Sequence, residues 1–481
     1  MGGQDCGIVQ KLSQDRIDFV ELWFVDLFGR VHSLGVPSHS LDEDAIRYGL
    51  DKLDSSSIRG FGSVNDSEIR MVPDISTYRL LPPEYDARGR RNARMFANLY
   101  CGGLRGDEMP RRHERDSRAV CSGAADDLAR EGLEGRWGPE IEFFVFDGVL
   151  GPDMIDHAWR RRGMVGYRIE SAELGAWKGA ESSPKAGYCK APPGDTVGDF
   201  RRDVCERLYR YFGIRVEAHH HEVATAGQCE INIEYGRALE IADGVVTIKN
   251  LARVVAAAQN RVATFMPKPF YGDNASAMHM HQSLWGKDGR NVMHDPADRA
   301  GLSQLARYYI GGILDHVGAL CALSNPTTNS YKRLVPGYEA PTCGCWGVGN
   351  RSAAIRIPGA GGGGNRKRIE FRVSDAASNP YLLEAALTMA GLDGIRKKTD
   401  PGDPVEENVY HMSAERRRMH SIRQLPATLR DSLDALQSDR GFLRGVFSPG
   451  LLDSYVSIKY LESDEFSQTP TAWEIATYLD V

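Results

Sequence analysis

The chain has 481 residues, of which 42% are hydrophobic and 26% are charged, as is ordinary for a globular protein. Its formal net charge of −6 argues against a nucleic-acid-binding function, which usually requires a basic face. No uninterrupted apolar run approaches the roughly 18 residues of a membrane span. The nine cysteines lack the spacing of a disulfide framework. The N-terminal residues are polar and lack a secretory signal. We therefore expect a cytoplasmic protein that binds neither membranes nor nucleic acids.

The first 110 residues predict a small α+β unit. Apolar and polar residues alternate on both sides of Phe28-Gly29, which is typical of a β-hairpin. Gly49 follows a short helix-like stretch and predicts its end. The expected elements are a hairpin over 18–36, a helix over 42–48, strand structure over 74–83 and a linker over 102–114.

Residues 111–481 mix helices and strands without strict βαβ alternation, so α+β is the expected fold class. The sequence EIEFFVF at 140–146 is typical of a strand, and apolar residues recur at helical spacing over 199–212. The expected helices are 118–131, 199–212, 238–266, 302–322, 379–398, 414–436 and 453–460, with a further strand at 214–218 and a loop at the glycine run 359–364.

Three short motifs place polar residues on both sides of an apolar one: EIE at 140–142, HMH at 279–281 and EFR at 370–372. Residues i and i+2 of a strand point to the same face, so each motif directs two polar groups into one site and an apolar side chain into the core. One such motif alone would as readily be an exposed strand face. Together with Glu222 and Glu230, the three motifs crowd carboxylates beside imidazoles. Such a set requires cations, and hard divalent ions such as Mg²⁺ or Mn²⁺ match its ligands.

Four arginines lie among these acids: Arg333, Arg351, Arg356 and Arg372. Guanidinium groups bind phosphate and carboxylate through paired hydrogen bonds. Combined with divalent ions, they indicate phosphoryl transfer from ATP to a carboxylic acid. The glycine-rich sequence PGAGGGG is not a P-loop, because no GK[ST] follows it.

Seven segments resemble type I glutamine synthetases, and they follow the family's order over nearly the whole chain. One of them is HHHEVATAGQCEI at 219–231, where Glu222 and Glu230 lie. The other segments are LDSSSIRGF at 53–61, GPEIEFFVFD at 138–147, ATFMPKPFYGDNASAMHMHQSLW at 263–285, NSYKRLVPGYEAP at 329–341, NRSAAIRIP at 350–358 and KRIEFRVSD at 367–375.

The resemblance implies a small N-terminal β-grasp-like domain at 1–110 and a large catalytic domain with a curved antiparallel sheet at 111–481. It also implies a homo-oligomer, a dodecamer of two hexameric rings, whose active sites lie between adjacent subunits. Asp54 of each chain would then reach into the neighbouring site.

The resemblance assigns ligands to two or three Mg²⁺ or Mn²⁺ ions. One ion would be held by Glu142, Glu222 and Glu230. A second ion would be held by Glu140, His279 and Glu370. For His281 the alternative is an ordinary polar core residue, and for a lone loop glutamate such as Glu339 it is a solvated charge.

The resemblance further implies an ATP site and a glutamate site. L-Glutamate would bind through Asn274, the backbone of Ala275, Arg333 and Arg372. Arg351 would act on the phosphates, and Glu339 would close as a flap over the intermediate and exclude water. The residues near ATP would be Glu217, Tyr235, His281, Ser283, Arg356 and Arg368.

The nitrogen nucleophile is expected to be ammonia, because the acidic ammonium pocket of the family is present. That pocket would comprise Asp54, Ser57, Tyr188, Glu222 and Glu339, and its carboxylates would attract a cation and act as base. Hydrazine, methylamine or another small amine is the alternative nucleophile. A non-catalytic scaffold is a further alternative, which would be marked by a lost metal ligand.

Three positions depart from the family pattern or leave a question open. The usual NGSGMH reads NASAMH, so that Ala275 and Ala277 replace glycines, and a positive φ there would force the backbone to shift. The usual DGSSI reads DSSSI from Asp54. Tyr410 aligns with a tyrosine that some bacterial members adenylylate, and its modification is an open possibility.

Overall fold

The computed structural model describes residues 2–62, 67–101, 111–150, 167–174, 183–359, 364–420 and 422–481. Two large sheets organise this part of the chain. Helices and strands intermix without regular alternation, which confirms the α+β class. The predicted linker lies mostly outside the described residues, as does most of the glycine run 359–364, so the division at residue 110 stays a prediction.

The N-terminal sheet has five strands in the order β2-β1-β5-β4-β3. The predicted hairpin is confirmed, since Phe19 pairs with Pro37 and Val25 with Val31. Its turn needs Gly29, whose φ is +77° and whose added Cβ would lie 2.9 Å from the Asn379 backbone. The strands are β1 Phe19–Val25, β2 Val31–Pro37, β3 Leu50–Asp54, β4 Glu68–Leu80 and β5 Asn92–Cys101.

A nine-stranded sheet contains the motifs that the sequence singled out. Its path is β15-β16-β17-β13-β6-β10-β9, with β11 and β12 paired to β6, and only β15 and β16 run parallel. The long β6 borders four strands and is the spine of the sheet. These strands are β6 Leu133–Phe146, β9 Val216–His221, β10 Gln228–Ile233, β11 Gly236–Arg237, β12 Val262–Thr264, β13 Met278–Gly286, β15 Trp346–Val348, β16 Ile355–Ile357 and β17 Ile369–Phe371.

Two long helices, Ala238–Ala258 and Pro380–Lys397, supply much of the core, because small and aliphatic side chains line most of their surfaces. Two small ribbons pair β7 Gly148–Leu150 with β8 Arg168–Glu170 and β14 Cys343–Gly344 with β18 Arg423–Gln424. The other helices are Gly2–Gln14, Glu43–Tyr48, Ser117–Arg130, Gly198–Arg207 with its extension Leu208–Phe212, Gln304–Asp315, Val317–Ser324, Ala414–Met419, Leu429–Ser438, Pro449–Gln468 and Ala472–Tyr478.

One predicted helix was too long, and two others are each divided into two helices. The helix expected over 238–266 ends at Ala258, because Asn260 adopts φ 54° and β12 follows as a strand. The helix expected over 302–322 breaks at His316, whose ring binds two carboxylates, Asp393 and Asp439. The helix expected over 414–436 is two helices separated by β18.

Local residues explain why these last two helices are not continuous. Pro426 cannot donate the backbone hydrogen bond that a helix interior needs. Thr428 then starts the next helix with a capping box to Asp431. In the described ranges, no helix is both long enough and apolar enough to cross a membrane.

Arg118 connects the N-terminal sheet to the helix Ala238–Ala258. It is 2% exposed and donates to Asp243 at 2.8 and 3.0 Å, to Asp74 of β4 at 3.0 Å and to Asn98 of β5 at 2.6 Å. A buried cation must be paired in this way, and removing one partner leaves a charge uncompensated. The two sheets are thereby held in one relative position.

Glu384 is a buried carboxylic acid in the helix Pro380–Lys397. Its side chain is fully buried, and neither oxygen has a hydrogen-bond partner among the described residues. Burial, together with the charge of Asp243, raises the pKa of Glu384 well above its ordinary value. The group is therefore neutral in the folded protein but ionised in the unfolded chain at neutral pH.

We expect Glu384→Leu to stabilise the protein, because it removes a desolvated acid without removing volume. The gain in free energy of unfolding should be about 1–3 kcal/mol at pH 8 and smaller at pH 5. The sign follows from linkage: above the ordinary carboxyl pKa, unfolding releases the proton, so wild-type stability falls as pH rises. Urea denaturation at both pH values measures it, with exposed Glu206→Leu as control. A gain that does not depend on pH would contradict the assignment.

Candidate active site

A cavity of about 160 Å³ opens on one face of the nine-stranded sheet. All six predicted metal ligands line it, together with most residues predicted to bind glutamate and phosphate. The predicted site residues on its wall are Glu140, Glu142, Tyr188, Glu222, Glu230, Asn274, Ala275, His279, Arg333, Glu339, Arg351, Arg356, Glu370 and Arg372.

Strand register brings these side chains together. Across neighbouring strands, Glu142 is paired with Glu230, which in turn is paired with His220. Glu140 is paired with His279 on the other side of β6, and Glu370 is paired with Arg356. The intervening residues Ile141, Met280 and Phe371 are fully buried, so each motif points its polar groups to one face as predicted.

Glu140, His279 and Glu370 form one compact group of potential metal ligands, with ligand atoms within 4.8 Å of one another. The Nδ1 atom of His279 lies 2.9 Å from a carboxylate oxygen of Glu140. With the proton on Nδ1, the buried Nε2 atom has a free lone pair, and it has no hydrogen-bond partner in the part of the chain that the structure describes. Burial and the charge of Arg372 lower the pKa of His279 to about 4, which keeps the imidazole neutral.

His220, Glu222 and Glu230 form a second such group. The Nε2 atom of His220 lies 3.4 Å from Glu230, and its Nδ1 atom lies 3.8 Å from Glu222. His220 was not among the predicted ligands. Its spacing of two from Glu222 is the same signal that identified the other motifs, and it could have been found in that way. Glu142, predicted as a ligand, lies in the same cavity but accepts hydrogen bonds from Ala277 and Gln228.

Together with Glu142, the second group carries more negative charge than His220 neutralises, although the hydrogen bond with Glu230 raises the pKa of His220 to about 9. Burial, then the charge of Glu222, raises the pKa of Glu142 to about 8. Burial, then the charge of Glu230, raises the pKa of Glu222 to about 8. The pKa of Glu230 is also raised by its burial. Three carboxylic acids that lie this close together, with raised pKa values, are the electrostatic signature of a cation-binding site.

The donor set therefore fits hard divalent ions. Each group offers two carboxylates and one imidazole, which suits Mg²⁺ or Mn²⁺ better than a thiolate-binding metal. The Nδ1 atom of His279 faces both carboxylates of the first group, 2.9 Å from Glu140 and 3.7 Å from Glu370, so the imidazole is placed to share a cation with them. The assignment of particular ligands to particular ions stays a prediction.

Glu370 is paired with two arginines. Arg356 donates to one of its oxygens at 2.5 Å, and Arg372 donates to the other. Burial favours the neutral acid, but the charge of Arg372 and those of the other basic neighbours together outweigh it and lower the pKa of Glu370. Glu370 is thus ionised and ready to act as a ligand.

Arg333 is almost fully buried, and its guanidinium donates to the backbone carbonyls of Val373 and Arg372 at 2.6 and 2.9 Å. These two bonds leave further N–H groups of Arg333 on the cavity wall. An arginine held rigidly by carbonyls presents its charge to a substrate carboxylate at little entropic cost. Arg351 is exposed at the rim of the same cavity, and its carbonyl accepts from Arg372 at 3.2 Å.

The residues predicted near ATP continue along the same sheet. His281 lies 2.9 Å from Glu140 through Nε2, and Arg368 donates to its Nδ1 at 3.2 Å. This pairing places the imidazole proton on Nε2. Tyr235 and His281 both flank Gly138, where an added Cβ would lie 3.5 and 3.8 Å from their Cβ atoms. Ser283 accepts from Trp285 at 2.9 Å, and Glu217 is exposed on β9. Of the residues predicted near ATP, Arg356 lines the cavity and the other five do not.

The loop that contains Ala275 and Ala277 has ordinary backbone geometry. Neither alanine adopts a positive φ, so the expected cost of replacing glycine does not arise. Gln228 supports the loop by donating to the carbonyl of Ala275 at 3.1 Å, and the N–H of Ala277 donates to Glu142 at 2.8 Å. The loop is thus joined to the metal-site acids through the backbone.

The predicted flap has several intrachain anchors. Tyr338 lies between Lys185 and Lys268, whose ammonium groups are 4.2 and 3.9 Å from its ring centre. Glu339 adopts φ 57°, a strained conformation for a residue with a side chain. Arg372 donates to the carbonyl of Glu339 at 3.3 Å. The Glu339 side chain is thereby held at the mouth of the cavity.

Tyr410 packs beneath this flap. Its hydroxyl donates to the carbonyl of Ala340 at 2.7 Å, and burial raises its pKa to about 12. A nucleotidyl group on this oxygen would break the contact with the flap. The structure does not test adenylylation of Tyr410, which stays open.

Tyr188 reaches the cavity but is 54% exposed. Asp54 and Ser57 do not line the cavity of their own chain. Both are exposed, and Asp54 accepts hydrogen bonds from Ser56 and Ser57, which lower its pKa. An exposed, ionised acid with a preset orientation fits the prediction that Asp54 serves a neighbouring subunit.

Two family profiles together match nearly the whole chain. The profile described as "Glutamine synthetase, beta-Grasp domain" matches residues 16–102, and the profile "Glutamine synthetase, catalytic domain" matches residues 114–478. Similar curated proteins include the glutamine synthetases of Sulfolobus acidocaldarius, 44% identical over 98% of both chains, and Streptomyces coelicolor, 38% identical over 99% of this chain and 100% of the relative.

Solved structures agree with this placement. The cryo-EM structure of Plasmodium falciparum glutamine synthetase aligns with a TM-score of 0.84 at 25% identity and covers 98% of each chain. A GmaS complex with ADP aligns with a TM-score of 0.80 at 27% identity over 98% of this chain and 99% of that chain. The chain belongs to the glutamine synthetase family. It is an ATP-dependent ligase that forms a carbon–nitrogen bond.

Divalent ions should bind the metal-free protein more tightly as pH rises from 6 to 9, because Glu142 and Glu222 must lose protons near pH 8. Titration calorimetry with Mn²⁺ should also show proton release in buffers of different ionisation enthalpy. Glu222→Gln should weaken binding by about tenfold or more, whereas exposed Glu206→Gln should not. Equal affinity in wild type and Glu222→Gln would remove Glu222 from the metal site.

Proposed function

We propose that this protein phosphorylates the γ-carboxylate of L-glutamate with ATP and condenses the acyl phosphate with ammonia to give glutamine, ADP and phosphate. The observation that supports this most directly is the cavity itself, which combines two groups of metal ligands with four arginines and a flap acid. Those are the parts that phosphoryl transfer to a carboxylate requires. A scaffold without catalysis would not retain buried acids at this electrostatic cost.

The arginines orient the two reacting groups. Arg333, fixed by two carbonyls, and Asn274 would hold the glutamate, with Arg372 nearby. Arg351 and Arg356 would face the phosphates and offset the charge that develops on the transferred group. Bound Mg²⁺ or Mn²⁺ supplies charge neutralisation of the phosphate oxygens when present. Glu140, Glu142, Glu222, Glu230, His279 and Glu370 are the residues proposed to hold it.

The remaining acids act on the nucleophile. Glu339 closes the mouth of the cavity and keeps water from the acyl phosphate. Ammonium would be held by Tyr188, Glu222 and Glu339, with Asp54 and Ser57 from an adjacent subunit. A carboxylate there then takes a proton, which frees the nitrogen lone pair for attack.

A larger nucleophile is the second candidate. Tyr188, at the pocket where the nitrogen would bind, is 54% exposed and leaves that side open. Hydrazine, methylamine or another small amine could enter from there. The proposed assembly is a dodecamer of two hexameric rings in the cytoplasm, with two or three divalent ions per site and no nucleic-acid partner.

The proposal is tested by phosphate release with ATP, Mg²⁺ and L-glutamate against ammonium, hydrazine, methylamine, ethanolamine and putrescine. We expect ammonium to be preferred and glutamine to appear in the product mass spectrum. Absence of ammonium-dependent ADP formation would contradict the proposed glutamine-forming reaction. Preference for another amine would support the second candidate, ligation of that amine to glutamate. Mass photometry of the same sample gives the subunit number.

The Glu339→Ala variant should separate the two half-reactions. Amide formation should fall by roughly 100-fold, in the range of a lost general base, while part of the glutamate-dependent ATP hydrolysis persists because water now reaches the acyl phosphate. Glutamine and phosphate are measured together. The control is Glu206→Ala, an exposed acid outside the cavity. Equal loss of both products would argue against shielding by the flap.

A further inference from the structure

A second cavity, of about 790 Å³, lies where the N-terminal hairpin meets the catalytic helices. It shares no lining residue with the active-site cavity. One wall is the hairpin turn at 26–31, and others are the helices Ala238–Ala258 and Pro449–Gln468. The loops at 326–329 and 376–379 complete it. The cavity therefore spans the junction between the two large parts of the chain.

The lining of this cavity carries an excess of positive charge. It contains five basic side chains and two acidic ones, a formal excess of three positive charges. Both acids are already occupied: Asp26 accepts two backbone N–H groups at 2.9 Å and lies 3.2 Å from His32, and Glu462 pairs with Lys459 at 2.8 Å. The five basic residues are Arg30, Arg59, Lys249, Arg253 and Lys459.

Four of these cations have no ion pair within the described ranges. Lys249 is 6% exposed and donates to the carbonyl of Ala376 at 2.6 Å, which occupies one of its three N–H groups. Arg253 donates to the carbonyl of Lys249 at 3.3 Å and lies over the ring of Phe265 at 4.9 Å. Arg30, Arg59 and Arg253 are exposed around the rim. Lys249 is the buried member of the set, and a buried cation without a carboxylate hydrogen-bond partner is uncommon because its desolvation is not repaid.

Burial and mutual repulsion both disfavour the protonated forms of two cations in this set. Burial and the charge of Arg30 lower the pKa of Arg253. Burial and the charge of Arg253 lower the pKa of Lys249 to about 7. A bound anion would reverse both effects, because an opposite charge favours the protonated form.

The cavity also has an apolar side. Phe265, Met266 and Tyr455 contribute to its wall. The ring of Phe28 is flanked by Arg59 at 5.8 Å and by Lys459 at 5.0 Å. Cavities that hold small organic molecules are typically about 300–1,000 Å³ and combine apolar walls with a few charged anchors.

We propose that this junction cavity binds a small organic phosphate monoester. Arg30, Arg59 and Arg253 would hold the phosphate, and the apolar wall would hold its organic part. A phosphate monoester carries about −1.5 to −2 charges and three acceptor oxygens, which match several guanidinium groups better than a single carboxylate does. The ligand bridges the hairpin and the catalytic helices, so its binding stabilises their junction. The inference does not depend on the proposed reaction.

Phenyl phosphate is a suitable probe, because it joins a phosphate to an apolar ring. It is titrated by calorimetry into the full-length protein with EDTA present and ATP absent, and the melting temperature is recorded in parallel. We expect saturable binding and a rise in melting temperature. Arg30→Gln/Arg59→Gln should weaken binding at least tenfold. Arg130→Gln/Arg210→Gln, which removes two exposed arginines elsewhere, should not change it.

The active site could also take up a phosphate, so Arg351→Gln/Arg356→Gln is titrated as well and should retain binding. The proposal is overturned if Arg351→Gln/Arg356→Gln loses binding while Arg30→Gln/Arg59→Gln binds as wild type does. Absence of saturable binding to wild type overturns it too, as does equal affinity for succinate, which would replace the phosphate class with a dicarboxylate. If Arg30→Gln/Arg59→Gln has a lowered melting temperature without ligand, the single variants Arg30→Gln and Arg59→Gln are compared with wild type instead. Unchanged affinity in both single variants contradicts the proposal.

Discussion

Repulsion among buried carboxylates on one face of the nine-stranded sheet is the constraint on which the site depends. Glu142, Glu222 and Glu230 share a small cavity where burial disfavours their ionised forms. The chain compensates only part of this charge, with His220 beside Glu222 and Glu230. Divalent ions supply the remainder, and the same positive field then serves the phosphates and the substrate carboxylate.

The rest of the fold serves to hold that arrangement still. Strand β6 places Glu140 and Glu142 between two neighbouring strands, so each acid faces its partners through sheet register. Arg118 fixes the N-terminal sheet against the catalytic helices, and Gly29 permits close contact with Asn379. The exposed Asp54 extends from this N-terminal part, where a second subunit could use it. The cationic junction cavity lies between the same two parts, so an anion bound there would act on their contact.

Local patterns predicted the site better than they predicted helix ends. The i, i+2 motifs identified His279 and Glu370 correctly as cavity residues, because side-chain alternation in a strand is a short-range property. His220 was missed although the same rule applied to it. The helix expected over 238–266 was too long, because the left-handed turn at Asn260 and the pairing of β12 with β6 are tertiary effects. The cost expected for Ala275 did not arise, since the family's glycine geometry is not needed in this backbone.

The sequence by itself determined the ligand types, the facing of each polar pair, the α+β class and the family, because composition, alternation and motif order are written along the chain. Only the tertiary structure decided which motifs meet. Glu370 is more than 200 residues from Glu140, and β13 between them brings both into one cavity. The protonation of Glu142, the free Nε2 atom of His279 and the positive junction cavity were likewise decided by burial and by neighbours distant in the chain. Electrostatic energy depends on distance in space and on solvent exclusion, and a sequence states neither.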